Sequence, residues 1–292
     1  MTTTKLIFIL ILLPLNLPLA QRITSQTESG LHLYNSKTGL LHNLNNDVNS
    51  MFNVGIDFME SPFHFDSDDF VLTGIIAGAT TITFSADNSI RNSMKGIHNS
   101  TLDKVTSFGE KFGNGKYAVA LSGLLYVSGH ILQDDDLRKT GLILIETIFL
   151  NGMVTEGLKI ITGRSRPYAN EGNLDLDFPK IEFFDDEDHS FPSGHTSTAF
   201  ALATVLSKRI DNIYTSIALY SLAGLTSFQR IYADRHWLSD TVLGAALGTV
   251  IALKVIKLNS GDEQTSLSSG VNLNVIPVII QDGYGIGVAL NF

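Results

Sequence analysis

The chain contains no cysteine, which excludes disulfides, a thiolate nucleophile, a cysteine-ligated metal site and a lipid-modified cysteine. It also lacks a basic tail, and its net charge at pH 7 is −9. A chain of this charge binds nucleic acid poorly, so we expect no nucleic-acid partner. With 292 residues, 44% of them hydrophobic, it can bury a substantial core, and one main domain is the simplest division.

The first twenty residues resemble a secretory signal peptide. Lys5 precedes the apolar run 6–13, and Ala20 would be the last residue before cleavage. The apolar run is too short to span a bilayer comfortably. Pro18 stands three residues before the cleavage point, where a small residue is usual, so an uncleaved anchor is the competing interpretation. Both interpretations take the chain out of the cytosol and into the cell envelope.

Residues 21–66 form a polar, Asn-rich lead-in in which 51–59 have the pattern of one amphipathic helix. Residues 259–292 begin as a polar linker and end in the alternation of a β-strand, from Tyr284 to Phe292. Asp282-Gly283 predicts a two-residue hairpin turn, and 271–281 would be the partner strand, with Pro277 at an edge or bulge.

Between these parts, residues 67–258 predict an all-α domain. Its apolar stretches lie at 70–84, 117–132, 140–162, 196–210, 213–228 and 240–256. Their lengths are near or below the ~20 residues that a membrane-spanning helix needs, so several could span a bilayer. Glu146, Asn151 and Glu156 are costly in lipid, and we expect them to face the bundle interior or water.

Lys and Arg pairs stand at alternate helix ends, opposite the ends that carry the motifs described below. They are Arg138-Lys139, Lys208-Arg209 and Lys254 with Lys257. This distribution favours an integral membrane protein with an outward-facing site. A wholly periplasmic helical bundle is the alternative.

His236 and Asp240 lie four residues apart at the predicted start of a helix, and therefore on one face. Asp240 would accept a hydrogen bond from His236, fix its tautomer and leave the other ring nitrogen free to attack phosphorus. We interpret His236 as a nucleophile and Asp240 as its orienting carboxylate. A simple tie between helix and loop is the alternative for the pair taken alone.

Ser193 and Gly194 precede a stretch of good helical character, after the break at Pro192. The backbone N–H groups of such a helix start, together with the Ser193 hydroxyl, favour a phosphate-binding turn. His195 would lie near the leaving oxygen and act as the general acid. An ordinary N-cap is the alternative interpretation of this motif alone.

Lys159, Arg166 and Arg230 supply positive charge for a doubly charged phosphate. Arg164 is a further candidate, but a surface or juxtamembrane role suits it equally, and we leave it out of the predicted site. The acidic run 185–188 is interpreted as a solvated loop, so we expect neither a metal nor another cofactor.

The order and spacing of these motifs resemble the type 2 phosphatidic acid phosphatase and vanadium haloperoxidase superfamily. The matching residues are Lys159, Arg166-Pro167, Pro192-Ser193-Gly194-His195, Arg230, His236 and Asp240. One position departs from the family pattern, since Gln229 stands where a serine usually precedes the arginine. The resemblance implies a six-helix bundle and a metal-independent phosphohistidine mechanism on phosphomonoesters or diphosphates, often of lipids.

We therefore expect a phosphatase of the cell envelope that acts on a phosphorylated lipid or a small phosphoester. A vanadate-dependent haloperoxidase is the alternative enzyme, because the same residues would bind vanadate. A non-catalytic protein that binds lipid phosphates is the alternative outside enzymes.

Overall fold

The computed structural model describes residues 29–176, 188–261, 272–280 and 283–291, with side chains at 43–176 and 188–261. The predicted signal segment lies outside the described residues. The chain divides into two compact units, one comprising Phe58–Ser260 and the other the described parts of 1–57 and 261–291.

The smaller unit contains most of helix α1, Ser29–Glu60, which is far longer than the short helix expected near 51–59. It also contains the predicted hairpin. Strands β1, Asn272–Ile280, and β2, Gly283–Asn291, pair antiparallel, and Pro277 lies opposite Ile286. The predicted turn is wrong by one residue, because Gly283 already belongs to β2 and pairs with Ile280.

The larger unit is helical. Its helices are α2 Ser67–Phe84, α3 Asp87–Met94, α4 Ser100–Gly113, α5 Gly115–Leu132, α6 Asp135–Thr162, α7 Gly194–Ile210, α8 Ile213–Tyr232 and α9 Leu238–Ser260. All six predicted stretches are helical, and the all-α class is confirmed. The predicted count of six is wrong, because the described residues form nine α-helices. Helices α3 and α4 are short and mostly polar, so they do not stand out as apolar runs.

Polar side chains fix where several of these helices begin. Asn99, Asn114, Asp134 and Asn212 each accept a hydrogen bond from a backbone N–H in the first turn of the helix that follows. Such caps satisfy donors that have no partner within the helix and typically stabilise it by about 1 kcal/mol.

Helix α7 lies at the centre of the unit and packs against α9, α8, α6 and α4. Its middle is fully buried and made largely of small residues, including Ala199, Ala201 and Ala203. Helix α9 approaches α7 so closely that a methyl group built on Gly244 would lie 2.7 Å from the Ser193 carbonyl oxygen. Glycine at this position therefore lets the starts of two motif-bearing helices meet.

The basic residues lie at the end of the bundle opposite the motifs, as the sequence suggests. Arg209 at the end of α7 donates from Nε to Thr140 Oγ1, 2.9 Å away at the start of α6. Glu146 and Asn151 are buried as expected. The side chain of Glu156, in contrast, is 60% exposed.

Within the part of the chain that the structure describes, two helices, α6 and α9, are long and apolar enough to cross a membrane, judged by length and composition. The bent pair α2 and α3 would make a third span. These helices favour a membrane-associated protein.

Candidate active site

The turn between α8 and α9 places His236 beside Arg230. The backbone reverses through Asp234, which has a left-handed conformation, and the N–H groups of Arg235 and His236 both donate to the Arg230 carbonyl, at 3.0 and 3.2 Å. The imidazole is then buried, with 3% of His236 exposed. Arg230 itself is 6% exposed.

The closest partner of His236 differs from the predicted one. Its Nδ1 lies 2.8 Å from the backbone carbonyl oxygen of Ser190, and 3.4 Å from Oδ2 of Asp240. That Oδ2 already accepts hydrogen bonds from the Ser190 hydroxyl at 2.5 Å and from the Trp237 N–H at 2.8 Å. Asp240 therefore lies beside His236 and also holds Ser190 and the first turn of α9.

This arrangement still selects one tautomer of the imidazole. A carbonyl oxygen only accepts, so Nδ1 of His236 must carry the proton that it shares with Ser190. The neutral ring then has its lone pair on Nε2.

The three motifs converge on this ring. Burial lowers the pKa of His236 well below its ordinary value, and the positive charges of Arg166, Arg230, Lys159 and His195 lower it further by repulsion. The Ser193 N–H donates to the Asp240 carbonyl at 3.0 Å and Lys159 Nζ faces Gly194, so parts of all three motifs lie close together. The lowered pKa favours the neutral, nucleophilic form.

Ser193 is the N-cap of α7, and its N–H donates to the Asp240 carbonyl at 3.0 Å. The Ser193 side chain is buried, and its hydroxyl donates to Thr196 Oγ1 at 3.1 Å. Gly194 begins the helix, and a methyl group built there would lie 3.4 Å from Lys159 Nζ. The helix start and the ammonium group thus face the same space, in which an anion would meet both.

The three predicted phosphate-binding cations are almost fully buried, with exposures of 9% for Lys159, 7% for Arg166 and 6% for Arg230. Carboxylates close to them are much more exposed. Lys159 Nζ lies 2.7 Å from Oε1 of Glu156, and Arg230 Nη1 lies 3.9 Å from Oε1 of Glu110, which is 50% exposed.

Arg164 is the residue that the sequence did not assign. It is fully buried, with Nη1 2.5 Å from Asp240 Oδ1 and Nη2 2.7 Å from Asp87 Oδ2. Asp87 Oδ1 in turn accepts the N–H of Ser239 at 2.9 Å. Arg164 therefore ties the start of α9 to the start of α3 and has a structural role, not the surface role considered for it. The local sequence gives no sign of this, because Asp87 lies far along the chain.

The acidic run at 185–188 lies outside the described residues except for Asp188. That residue is buried, unlike the solvated loop expected, and its Oδ1 accepts the Ser165 hydroxyl at 2.8 Å. Trp237 is likewise buried, and its ring N–H donates to the Ser165 carbonyl at 2.9 Å. Both contacts position the segment between Lys159 and Arg166.

Residues 140–262 match the sequence model of the PAP2 superfamily. This region of the chain is therefore similar to the PAP2 superfamily. The PAP2 region includes every residue of the predicted site, and it confirms the resemblance drawn from the three motifs.

Two curated relatives and one solved structure are similar to parts of this chain. The chain is 30% identical to the lipid A 1-phosphatase of Porphyromonas gingivalis over 182 residues, which are 60% of this chain and 35% of the relative. It is 29% identical to lipid phosphate phosphatase 1 of Arabidopsis thaliana over 165 residues, 47% of this chain and 50% of that protein. The chain thus spans only a third to a half of these relatives. The crystal structure of Aquifex aeolicus LpxE aligns with a TM-score of 0.46 and 25% identity, covering 59% of this chain and 94% of that one.

Proposed function

We propose that this protein is a lipid phosphatase that works through a phosphohistidine on His236. The observation that carries the proposal is the meeting of the three motifs beside the buried ring of His236. The His236 N–H donates to the Arg230 carbonyl at 3.2 Å, the Ser193 N–H donates to the Asp240 carbonyl at 3.0 Å, and Lys159 Nζ lies against Gly194. Buried positive charge around a nucleophile suits a substrate that brings two negative charges of its own. No step of the proposed reaction needs a metal, because the protein supplies these cations.

In the proposed first step, the phosphate lies against Lys159, Arg166, Arg230 and the start of α7, where Gly194 permits close approach. Nε2 of His236 forms a bond to phosphorus while the bond from phosphorus to the leaving oxygen breaks, and His195 gives its proton to that oxygen. In the second step, His195 takes a proton from water, whose oxygen attacks the phosphohistidine. Phosphate leaves and His236 is restored.

Two features support a lipid as the substrate. A cavity of about 610 Å³ with an almost wholly apolar lining lies between α5 and α6, bordered by Val119, Ile148 and Met153. It extends to Glu156, whose carboxylate contacts Lys159 at 2.7 Å. An acyl chain in this cavity would therefore reach the phosphate-binding site. The curated relatives are also named as lipid phosphatases, which agrees with this proposal.

We also propose that the site faces the outside of the cytoplasmic membrane. The support is the position of the basic residues at the opposite end of the bundle, where Arg209 contacts Thr140.

The test is phosphate release by the purified chain from phosphatidic acid, lipid A and p-nitrophenyl phosphate, with and without a chelator. We expect release from a lipid in the presence of the chelator. We also expect His236→Ala to abolish release while the protein keeps its helical circular dichroism. Activity that survives in this variant, or that requires an added metal, would contradict the mechanism. Bromide oxidation that depends on added vanadate would instead identify the haloperoxidase alternative.

A further inference from the structure

Helix α3 carries two charged residues on one face, and both contact segments of the candidate site. Asp87 and Arg91 lie four positions apart, about one turn of the helix. Asp87 accepts a hydrogen bond from Nη2 of Arg164 at 2.7 Å. The side chain of Arg91 is 13% exposed. This largely buried arginine has no part in the mechanism proposed above.

The guanidinium of Arg91 binds two segments that are distant in the sequence. Its Nε and Nη2 donate to the two carboxylate oxygens of Asp234, both at 2.7 Å. The same Nη2 donates to the side-chain oxygen of Asn170 at 2.8 Å. The guanidinium also lies 5.4 Å from the centroid of the buried Trp237 ring. One rigid, planar group thus holds two turns of the chain together.

Each of these turns positions a residue of the candidate site. Asp234 lies where the backbone reverses, and the next two N–H groups donate to the Arg230 carbonyl, which brings His236 into the site. Asn170 ends the short 3-10 turn that begins directly after Arg166. A side chain bound to both turns limits how far the backbones of Arg166 and His236 can move apart.

Both acceptors lie at positions where another residue type suits the backbone better. Asp234 and Asn170 have φ angles of 57° and 66°, in the left-handed region that glycine adopts most easily. Glycine would form either turn with less strain, but it would offer no side-chain oxygen to Arg91. This favours a role for the contacts with Arg91 beyond the shape of the turns.

The ion pair is better suited to position the site than to stabilise the fold. The Asp234 side chain is 33% exposed, and an ion pair that water reaches contributes little to stability. Catalysis is more sensitive to position, since a misplacement of about 1 Å can slow a reaction about a hundredfold. The two parallel hydrogen bonds between Arg91 and Asp234 fix direction as well as distance.

We propose that Arg91 is a positioning residue of the phosphatase site. It keeps the nucleophile His236 and the phosphate-binding Arg166 at the spacing that the transferring phosphoryl group requires. The proposal rests on the proposed phosphatase function and adds to it a residue from outside the three motifs. Arg91 acts through the two turns and not on the phosphate, because its Nε and Nη2 are committed to Asp234 and Asn170.

The main variant is Asp234→Gly, because glycine keeps the left-handed turn and removes the carboxylate that Arg91 binds. The full chain is assayed in detergent on the substrate that the wild type hydrolyses fastest. We expect kcat to fall about ten- to a hundredfold, while KM changes by less than about threefold because Lys159 and Arg230 still bind the phosphate. Arg91→Gln should give the same loss, and the double variant should lose no more than either single one. Arg91→Lys should recover little, because an ammonium group cannot make the paired contact.

Orthovanadate, an analogue of the transferring phosphoryl group, gives a measurement that needs no turnover. In calorimetric titrations we expect its affinity to be about tenfold weaker in Asp234→Gly and in Arg91→Gln than in the wild type. Arg209→Gln is the matched control, since it removes an arginine that contacts Thr140 at the opposite end of the bundle. It should change neither kcat nor the affinity for vanadate.

The unfolding midpoint of each variant, which should stay close to that of the wild type, separates positioning from folding. A loss of kcat that merely follows the fraction of unfolded protein would overturn the positioning role. Wild-type kcat and vanadate affinity in Asp234→Gly, or full recovery in Arg91→Lys, would also overturn it. A wild type that binds vanadate but releases phosphate from no substrate would overturn the phosphatase function, and the vanadate affinities would still decide the role of Arg91. If the wild type does neither, both proposals fail.

Discussion

Two groups of buried charge meet at the start of α9, and they differ in how the charge is balanced. Around Arg164, the carboxylates of Asp87 and Asp240 are as fully buried as the guanidinium. Around His236, the buried charges are mostly positive, and the carboxylates of Glu156 and Glu110 that lie near them are largely exposed. The first group pairs its cation with buried carboxylates, whereas the second has exposed carboxylates near Lys159 and Arg230, an arrangement that suits the proposed anionic substrate.

The contrast is sharpest for Arg164 and Arg166, which stand two positions apart in one segment. Arg164 ties two helix starts together, whereas Arg166 is proposed to bind the phosphate. Partners, not residue type, therefore separate a structural cation from a functional one. This difference predicts that substituting Arg164 lowers the stability of the protein, whereas substituting Arg166 lowers its activity.

The largest expected effect is on stability, in Arg164→Met. The substitution leaves the carboxylates of Asp87 and Asp240 buried without their cation, and we expect the free energy of unfolding to fall by about 3–5 kcal/mol. Denaturant unfolding followed by circular dichroism measures this change. Adding Asp87→Asn to the same variant should recover part of the lost free energy of unfolding, because it removes one of the two buried carboxylates that no longer have a cation. A stability equal to that of the wild type would show that the network does not hold α9.

The next effect is on turnover, in Arg166→Gln. We expect kcat/KM to fall by about a hundred- to a thousandfold, because a donor to the transferring phosphate is lost, while the unfolding midpoint changes little. Arg209→Gln is the matched control, since it removes an arginine at the far end of α7 and should leave kcat/KM unchanged. If Arg166→Gln instead unfolds the protein and spares its specific activity, the two arginines have been assigned the wrong way round.

The helices that bear the motifs could be predicted because their signals are local. Ser193 caps α7 and Leu238 begins α9 close to where capping chemistry and apolar runs place them. The grouping of the motif residues could be predicted from their spacing and the family resemblance. Helix α4 could not be found as an apolar run, although Asn99 and the spacing of Val105, Phe108 and Phe112 were available as signals.

The contact partners of the buried groups could not be predicted from the sequence, for a different reason. Arg164 meets Asp87 only because α3 returns to the start of α9, and no local pattern encodes that return. The carbonyl of Ser190 takes the place expected for Asp240 beside His236, and every residue offers a carbonyl. Long-range packing decides such contacts, so the structure was needed to distinguish the two groups of charge.

The smallest expected effect concerns the titration of His236. Burial and the surrounding cations lower its pKa, so the ring should remain neutral as the pH falls below about 6.5 and should gain a proton only at a clearly lower pH. Arg166→Gln removes one source of repulsion and should move the pKa upward, whereas Arg209→Gln should not move it. Nitrogen chemical shifts of 15N-labelled histidine, recorded against pH and assigned with His236→Ala, measure the shift directly. A pKa that is ordinary in the wild type and unchanged in Arg166→Gln would mean that the cationic group does not surround His236 in solution, and the contrast with the group around Arg164 would be lost.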